Sequence, residues 1–317
     1  MGMLVEGEWR TENSFANKEG RFVRSETSFR DRVTADGSSG FPAETGRYHL
    51  YVSWACPWAH RTSILRKLKG LEDAISLSSV GPFMGENGWA FSDGFTDPLY
   101  GSEYLRDIYA KADPNYTGRV TTPVLWDKEQ ETVVNNESRE VIRMLDTEFE
   151  EYASTGESFL PEDLRDDVER TIDAIYQPIN NGVYRSGFAT TQDAYEEAVV
   201  EVFDALDHWD DVLGGQRYLC GNVITEADWC MFTTLVRFDP VYHYHFKCNL
   251  RRISDYPNLS GYLKDLYQTP GVAETVDFDH IKRHYYTSHE SVNPTRIIPK
   301  GPILDLEGPH DRDWILD

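Results

Sequence analysis

The fold of this chain can be predicted outward from residues 48–61, which read YHLYVSWACPWAHR. The first five, Tyr48 to Val52, form a short β-rich run. Cys56 and Pro57 follow, and proline is favoured at the first position of a helix. Helical character continues from Thr62 to Leu71, where Lys69-Gly70 is a helix-stop signal. This stretch therefore predicts a strand, a loop that carries Cys56, and a helix.

The next predicted elements extend this unit into a domain. Residues 74–80 form a second β-rich run, and residues 124–126 and 132–134 are typical of a two-stranded hairpin. Residues 135–138 then lead into a helix that runs to about Tyr152. The resulting order, β-α-β, a long connection, then β-β-α, is that of a thioredoxin-like domain. We assign this domain to residues 47–155.

Two segments around this core lack a strong pattern. Residues 1–46 are polar and rich in charge and glycine, and they are predicted to form an N-terminal arm of loop and linker. Residues 81–118 form a long insertion with a short predicted helix near residues 103–110. Connections of this length are usually functional, so a lid is one interpretation of the insertion.

The second half of the chain is predicted to be all-helical. Tyr195, Val199, Val202, Leu206 and Trp209 recur at helical spacing and form one apolar face. Residues 225–228, Thr-Glu-Ala-Asp, resemble a capping box before another helix. The expected fold class is thus α/β plus all-α, with a helical-bundle domain at residues 156–290. Residues 291–317 are rich in proline and glycine and are expected to form a tail along the surface.

Composition and charge limit the classes of partner and the cellular environment that this chain suits. The net charge is −23, which argues against nucleic acid as a partner, because phosphates need clustered Lys and Arg. The chain has 22 Arg and 9 Lys, and its acid excess is dispersed. This pattern favours adaptation to high salt, where screening by ions weakens the repulsion between acidic side chains. An ordinary acidic protein is the alternative. With no long apolar run and no export signal, the expected location is the cytoplasm and no membrane partner is predicted.

The four cysteines differ in context. Cys56, Cys220, Cys230 and Cys248 are widely spaced and form no CxxC pair. Disulfides are not expected in a reducing compartment, and no metal is expected because zinc-type Cys/His spacing is absent. Cys56 opens a helix, where free N–H groups and a partial positive charge stabilise a thiolate. Arg61, one turn on, adds positive charge. The alternative for any lone cysteine is a buried, inert residue.

The fourth position of the motif that begins at Cys56 matters as much as the first. A dithiol oxidoreductase carries a resolving cysteine there, whereas this chain has Ala59. A mixed disulfide on Cys56 must therefore wait for an outside thiol. The sequence predicts a small-thiol transferase rather than a thioredoxin.

Two further sites suit a peptide-like thiol. Thr122-Pro123 precedes a strand, where thioredoxin-like domains hold a cis-proline facing the active cysteine, and the Thr122 backbone can pair with an extended ligand. A plain Thr-Pro strand start is the alternative. Glu137-Ser138 opens a helix, where N–H groups and the Ser138 hydroxyl suit a carboxylate and Glu137 suits an ammonium group. The alternative is simple capping by Ser138.

Together these motifs resemble the xi class of glutathione transferases, the glutathionyl-hydroquinone reductases. The resemblance covers nearly the whole chain. The matching stretches are Cys56-Pro57-Trp58-Ala59, Gly88-Trp89, residues 118–127 (GRVTTPVLWD), Asn135-Asn136-Glu137-Ser138, residues 237–242 (RFDPVY), residues 245–249 (HFKCN), Asn293-Pro294-Thr295 and residues 299–302 (PKGP).

The resemblance implies the glutathione-transferase fold, a homodimer, and Cys56 as the nucleophile that takes glutathione from a hydroquinone conjugate. It implies further that tyrosines of the helical domain face the quinone ring and donate a proton; the candidates are Tyr184, Tyr242 and Tyr285, each with a core-aromatic alternative. The residues implied to hold the glutathione moiety are Trp89, Arg119, Thr122, Pro123, Glu137 and Ser138.

Several interpretations stay open from sequence alone. If the organism is a salt-adapted archaeon, the small thiol is γ-glutamylcysteine rather than glutathione. An omega-type deglutathionylase or dehydroascorbate reductase would use the same Cys56. A non-catalytic binding protein on this fold would tolerate loss of Cys56. Conjugation through an activating hydroxyl such as Ser53 is the least favoured alternative.

Overall fold

The computed structural model describes residues 2–11, 16–24 and 26–316, except the side chains of Trp314 and Leu316. The chain divides into two compact units. The sheet unit comprises Met1–Ser14, Ser25–Glu157 and Glu274–Ser288. The helical unit comprises Phe15–Arg24, Ser158–Ala273 and His289–Asp317.

A four-stranded mixed sheet and two helices form the centre of the sheet unit. The strands and helices are β3 (Tyr48–Val52), α1 (Pro57–Leu68), β4 (Ile75–Ser79), β7 (Val124–Asp127), β8 (Thr132–Asn135) and α3 (Ser138–Thr147). The strand order is β4-β3-β7-β8. Strand β3 pairs in parallel with β4 and antiparallel with β7, and β7 pairs antiparallel with β8. The helices α1 and α3 pack against each other. The predicted thioredoxin-like order is confirmed.

Local sequence explains where α1 begins and ends. Pro57 occupies its first turn, where the missing N–H costs no hydrogen bond. After the C-cap Lys69, Gly70 adopts a φ of +63°, which glycine tolerates best. A Cβ at Gly70 would lie 1.7 Å from the Oγ of Ser154, so space as well as conformation requires glycine there. The helix-stop signal is therefore confirmed at this position.

The N-terminal arm departs from the prediction. Its first residues form an antiparallel hairpin of β1 (Met3–Val5) and β2 (Glu8–Arg10) rather than loop. Leu4 and Gly118 exchange backbone hydrogen bonds of 3.0 and 2.9 Å. Because that partner is remote in sequence, local pattern could not reveal the hairpin. Residues 12–15 and 25 of the predicted arm lie outside the described residues.

The insertion at residues 81–118 carries a small hairpin, β5 (Met84–Gly85) with β6 (Gly88–Trp89), and the helix α2 (Leu105–Ala112). The short predicted helix is thus confirmed. Leu105, Ile108 and Tyr109 have no solvent-exposed surface and join one hydrophobic cluster with residues of β3 and β7. The insertion is therefore part of the core of the sheet unit.

The helical unit is built from α4 (Arg165–Ile175), α5 (Gly182–Gly187), α6 (Gln192–Leu213), α7 (Glu226–Arg237) and α8 (Leu259–Gln268). The predicted apolar face on α6 is buried at Val199, Val202 and Leu206. The capping box that opens α7 is present: the Asp228 carboxylate accepts from the Thr225 N–H at 2.8 Å. Within the described residues, no helix is both long and apolar enough to cross a membrane.

The last α-helix, α9 (Phe278–Ser288), groups with the sheet unit, whereas the sequence assigned residues 156–290 to the helical domain. Ser288 Oγ accepts a 2.9 Å hydrogen bond from the backbone N–H of Met84, which ties α9 to β5. The tail runs without regular structure over most of its length, and Asp317 lies outside the described residues. Arg312 of the tail is buried and donates to the carbonyls of Leu213, Gln216 and Arg217.

Candidate active site

Cys56 is the N-cap residue of α1. Its backbone is extended, with φ −75° and ψ 119°, and its carbonyl accepts the first helical hydrogen bond from His60 at 2.9 Å. The side chain is partly exposed. A thiolate here lies at the positive end of the helix dipole, where anions are stabilised. A nucleophilic cysteine needs an accessible thiol in a positively polarised environment, and Cys56 has both at the start of α1.

Thr122-Pro123 contacts the thiol. The Thr122-Pro123 peptide bond is cis, as the sequence predicted for this slot. Cys56 Sγ donates to the Thr122 carbonyl over 3.4 Å. Thr122 is 4% exposed, and its Oγ1 has no hydrogen-bond partner in the described part of the chain. An unsatisfied buried hydroxyl in a native structure calls for an explanation, and a bound ligand is one.

Glu137 and Ser138 lie at the start of α3, but their roles differ from the capping alternative. Glu137, not Ser138, is the N-cap, and its carboxylate accepts from the Arg139 N–H at 3.2 Å. Ser138 is the first helical residue, and its Oγ accepts from the Arg61 guanidinium at 3.3 Å. Simple capping by Ser138 is therefore wrong. Arg61 adds positive charge to the N-terminus of α3, which suits an anionic ligand group.

Trp89 and Arg119 lie on the segments that flank α2. Trp89, on β6, is 8% exposed, and its indole stacks on the imidazole of His284 with 4.8 Å between ring centroids. His284 is held in turn by a 2.9 Å contact between its Nδ1 and the Pro82 carbonyl. Arg119 is partly exposed, and its carbonyl accepts from the Tyr116 hydroxyl at 3.0 Å. Both predicted ligand residues belong to the sheet unit, together with Cys56.

The three candidate tyrosines divide between the units. Tyr285 lies on α9 of the sheet unit and is 1% exposed. Tyr184 and Tyr242 lie in the helical unit, with 5.9 Å between their ring centroids. Tyr242 has no exposed surface and stacks on Phe246, which is the environment that the core-aromatic alternative describes. Their catalytic roles stay predictions.

Sequence reasoning missed Tyr109 and His284, which contact the segments that carry predicted ligand residues. Tyr109 lies on the buried face of α2, where its spacing with Leu105 and Ile108 reads as ordinary core. His284 lies on the buried side of α9. No local signal separates such residues from core residues, because their partners are distant in the chain.

The other cysteines lie in environments that disfavour ionisation. Burial raises the pKa of the Cys248 thiol to about 12. Burial also raises the pKa of Cys220, whose Sγ lies 3.6 Å from the Thr171 hydroxyl. Cys230 has no exposed surface. In the described part of the chain, no group of three or more His, Cys, Asp or Glu side chains is arranged to hold a metal ion.

Comparison with known proteins identifies the family. Residues 55–148 match the glutathione S-transferase N-terminal domain, and residues 192–265 match the glutathione S-transferase C-terminal domain. The chain is 53% identical to the glutathionyl-hydroquinone reductase YqjG of Escherichia coli, over 99% of each chain. It is 50% identical to the glutathionyl-hydroquinone reductase PcpF of Sphingobium chlorophenolicum, over 97% of this chain and 98% of the relative.

Solved structures agree. A xi-class glutathione transferase from Natrialba magadii superposes with a TM-score of 0.94 at 55% identity, covering 99% of this chain and 98% of the other. The glutathione-bound structure of YqjG superposes with a TM-score of 0.91 at 52% identity, covering 98% of this chain and 99% of the other. The resemblance inferred from the sequence motifs and the glutathione-transferase fold are both confirmed. This chain belongs to the xi class of the glutathione transferases.

Proposed function

We propose that the protein is a glutathionyl-hydroquinone reductase whose nucleophile is Cys56. The observation that carries the proposal is the Cys56 thiol itself: partly exposed at the N-terminus of α1, next to the Thr122 carbonyl, with Ala59 where a resolving cysteine would stand. Full-length identity of 50% or more to two glutathionyl-hydroquinone reductases supports it.

The proposed reaction has two steps. The Cys56 thiolate attacks the sulfur of the glutathionyl group, the bond from that sulfur to the aromatic carbon breaks, and the carbon takes a proton. This step releases the hydroquinone and leaves glutathione on Cys56 as a mixed disulfide. A second glutathione then attacks the mixed disulfide, which releases oxidised glutathione and restores the Cys56 thiolate. The conjugate is reduced, and two glutathione sulfurs are oxidised to one disulfide.

The ligand roles follow from the groups that each segment presents. The Thr122 backbone lies beside the thiol and is proposed to pair with the cysteinyl part of glutathione. Glu137 and Ser138 are proposed to bind the γ-glutamyl end, where the N-terminus of α3 and Arg61 favour the carboxylate. Trp89 and Arg119 are proposed to contact the remainder of the glutathione moiety.

The test is turnover of a glutathionyl-hydroquinone by the unaltered protein and by Cys56→Ser, assayed in high salt. Loss of the nucleophile should lower turnover by about a thousandfold or more. Cys220→Ser is the matched control, since Cys220 is also partly exposed, and it should keep full activity. Activity that survives Cys56→Ser would refute the nucleophile. An unaltered protein that reduces dehydroascorbate but not the conjugate would point to the omega-type alternative.

The identity of the small thiol is a finer proposal. The acid-rich, lysine-poor composition supports a high-salt setting, in which γ-glutamylcysteine is a candidate in place of glutathione. Both thiols carry the γ-glutamyl end that Glu137 and Ser138 are proposed to bind. Turnover with each thiol at equal concentration tests this, and a strong preference for glutathione would exclude γ-glutamylcysteine as the physiological thiol.

We propose also that the protein is a cytoplasmic homodimer. The xi-class membership supports the dimer, because glutathione transferases are commonly dimeric. Light scattering in high and low KCl measures the mass directly; a mass of one chain in both would refute the dimer.

A further inference from the structure

Tyr109 joins two segments that are far apart in the sequence. Its side chain has no exposed surface, and its hydroxyl donates to the Thr121 carbonyl at 2.8 Å. The same oxygen accepts from Asn136 Nδ2 at 3.0 Å and from the Thr121 N–H at 3.3 Å. A phenol oxygen with one donated and two accepted bonds has its full complement of partners.

The two joined segments carry the proposed thiol ligands. Thr121 directly precedes Thr122, whose carbonyl lies 3.4 Å from Cys56 Sγ. Asn136 directly precedes Glu137, the N-cap of α3. A shift of either segment therefore moves one end of the proposed glutathione site relative to the other.

We propose that Tyr109 is a positioning residue for the thiol site, holding the Thr121-Thr122 segment and the Asn136-Glu137 turn at a fixed separation. The inference rests on the proposed function. It gives the insertion a fixed part in binding through α2.

The surroundings of Tyr109 suit a geometric role. Its ring packs edge-on against Phe29, with 5.8 Å between centroids, and at a tilt against Tyr116, with 5.2 Å between centroids. The side chain therefore has little freedom to reorient. Burial raises the pKa of Tyr109 to about 12, so the hydroxyl keeps its proton in neutral solution. Tyr109 therefore stays a donor to the Thr121 carbonyl.

The direct test is glutathione binding to Tyr109→Phe, measured by calorimetry on the full chain. Removing the hydroxyl should raise the Kd for glutathione about tenfold, the effect of losing roughly one net hydrogen bond from the site's geometry. Tyr48→Phe is the matched control: Tyr48 is equally buried in the same unit, and its hydroxyl donates to the Pro42 carbonyl at 2.7 Å, away from the ligand segments. Its Kd should be unchanged, although both variants lower the unfolding midpoint.

Asn136→Ala provides a second route that keeps the tyrosine. It should raise the Kd similarly, and the double variant should be less than additive, because both changes break the same contact. In turnover, the KM for glutathione should rise more than kcat falls. Unchanged glutathione affinity in Tyr109→Phe, or in Asn136→Ala if the first variant does not fold, would overturn the inference. Absence of glutathione binding by the unaltered protein would instead overturn the proposed function, and the inference with it.

Discussion

The proposal that Cys56 is the reactive thiol makes a quantitative prediction about alkylation. Brief treatment with iodoacetamide at about pH 8 should modify Cys56 well before Cys220, Cys230 or Cys248, because the thiolate is the nucleophile. Burial raises the pKa of Cys220 and Cys248, and Cys230 and Cys248 have no exposed surface. Activity should be lost in step with the labelling of Cys56.

The size of the difference can be worked out for Cys248. Burial raises the pKa of Cys248 to about 12, so roughly one Cys248 thiol in 10⁴ is ionised at about pH 8. A free cysteine with a pKa of about 8.5 is roughly one-quarter ionised at that pH. Ionisation alone therefore slows Cys248 by about 2,000-fold relative to a free thiol. The Cys248 side chain also has no exposed surface, which slows it further.

The assay is peptide mapping by mass spectrometry at timed intervals, with turnover measured on the same samples. Saturating glutathione should protect Cys56 and leave any slow labelling of Cys220 unchanged, which serves as the internal control. Earlier modification of Cys220, or full activity after Cys56 is completely alkylated, would refute the reasoning.

Two further predictions concern stability. Lys69, 1% exposed, pairs with the fully buried carboxylate of Asp146 at 3.1 Å, so Lys69→Met should cost about 3–5 kcal/mol in urea unfolding. The control Lys67→Met breaks a pair with Glu274 that lies largely in solvent, so it should cost much less. Equal losses in the two variants would contradict the buried-pair argument. Burial lowers the pKa of His49 in the folded protein to about 4. In the unfolded chain, the imidazole takes up its proton at about pH 6.5. The free energy of unfolding should therefore fall by about 3 kcal/mol as the pH drops from about 6.5 to about 4, because only the unfolded chain binds the proton in that range. His49→Gln should flatten this part of the profile, and an unchanged slope would exclude His49 as its source.

The sequence predicted the thiol chemistry because that chemistry is local. Cys56, Pro57 and Ala59 lie within one turn of helix, and their spacing alone indicates a capped helix start and a missing resolving thiol. The Thr122-Pro123 slot was predicted from the order of strands around it. The cis bond and the 3.4 Å contact to Cys56 agree with that order.

The sequence determined by itself the class of the protein, the order of the elements in its thioredoxin-like core and the identity of its candidate nucleophile. Tertiary structure decided which remote residues support that site. The β1–β2 hairpin pairs with Gly118, α9 joins the sheet unit, and the Tyr109 hydroxyl links Thr121 to Asn136. The physical reason is that each of these depends on a hydrogen bond or packing contact between segments distant in the chain. Periodicity and turn signals report only the conformation of neighbouring residues, so such contacts become visible only when the chain is folded.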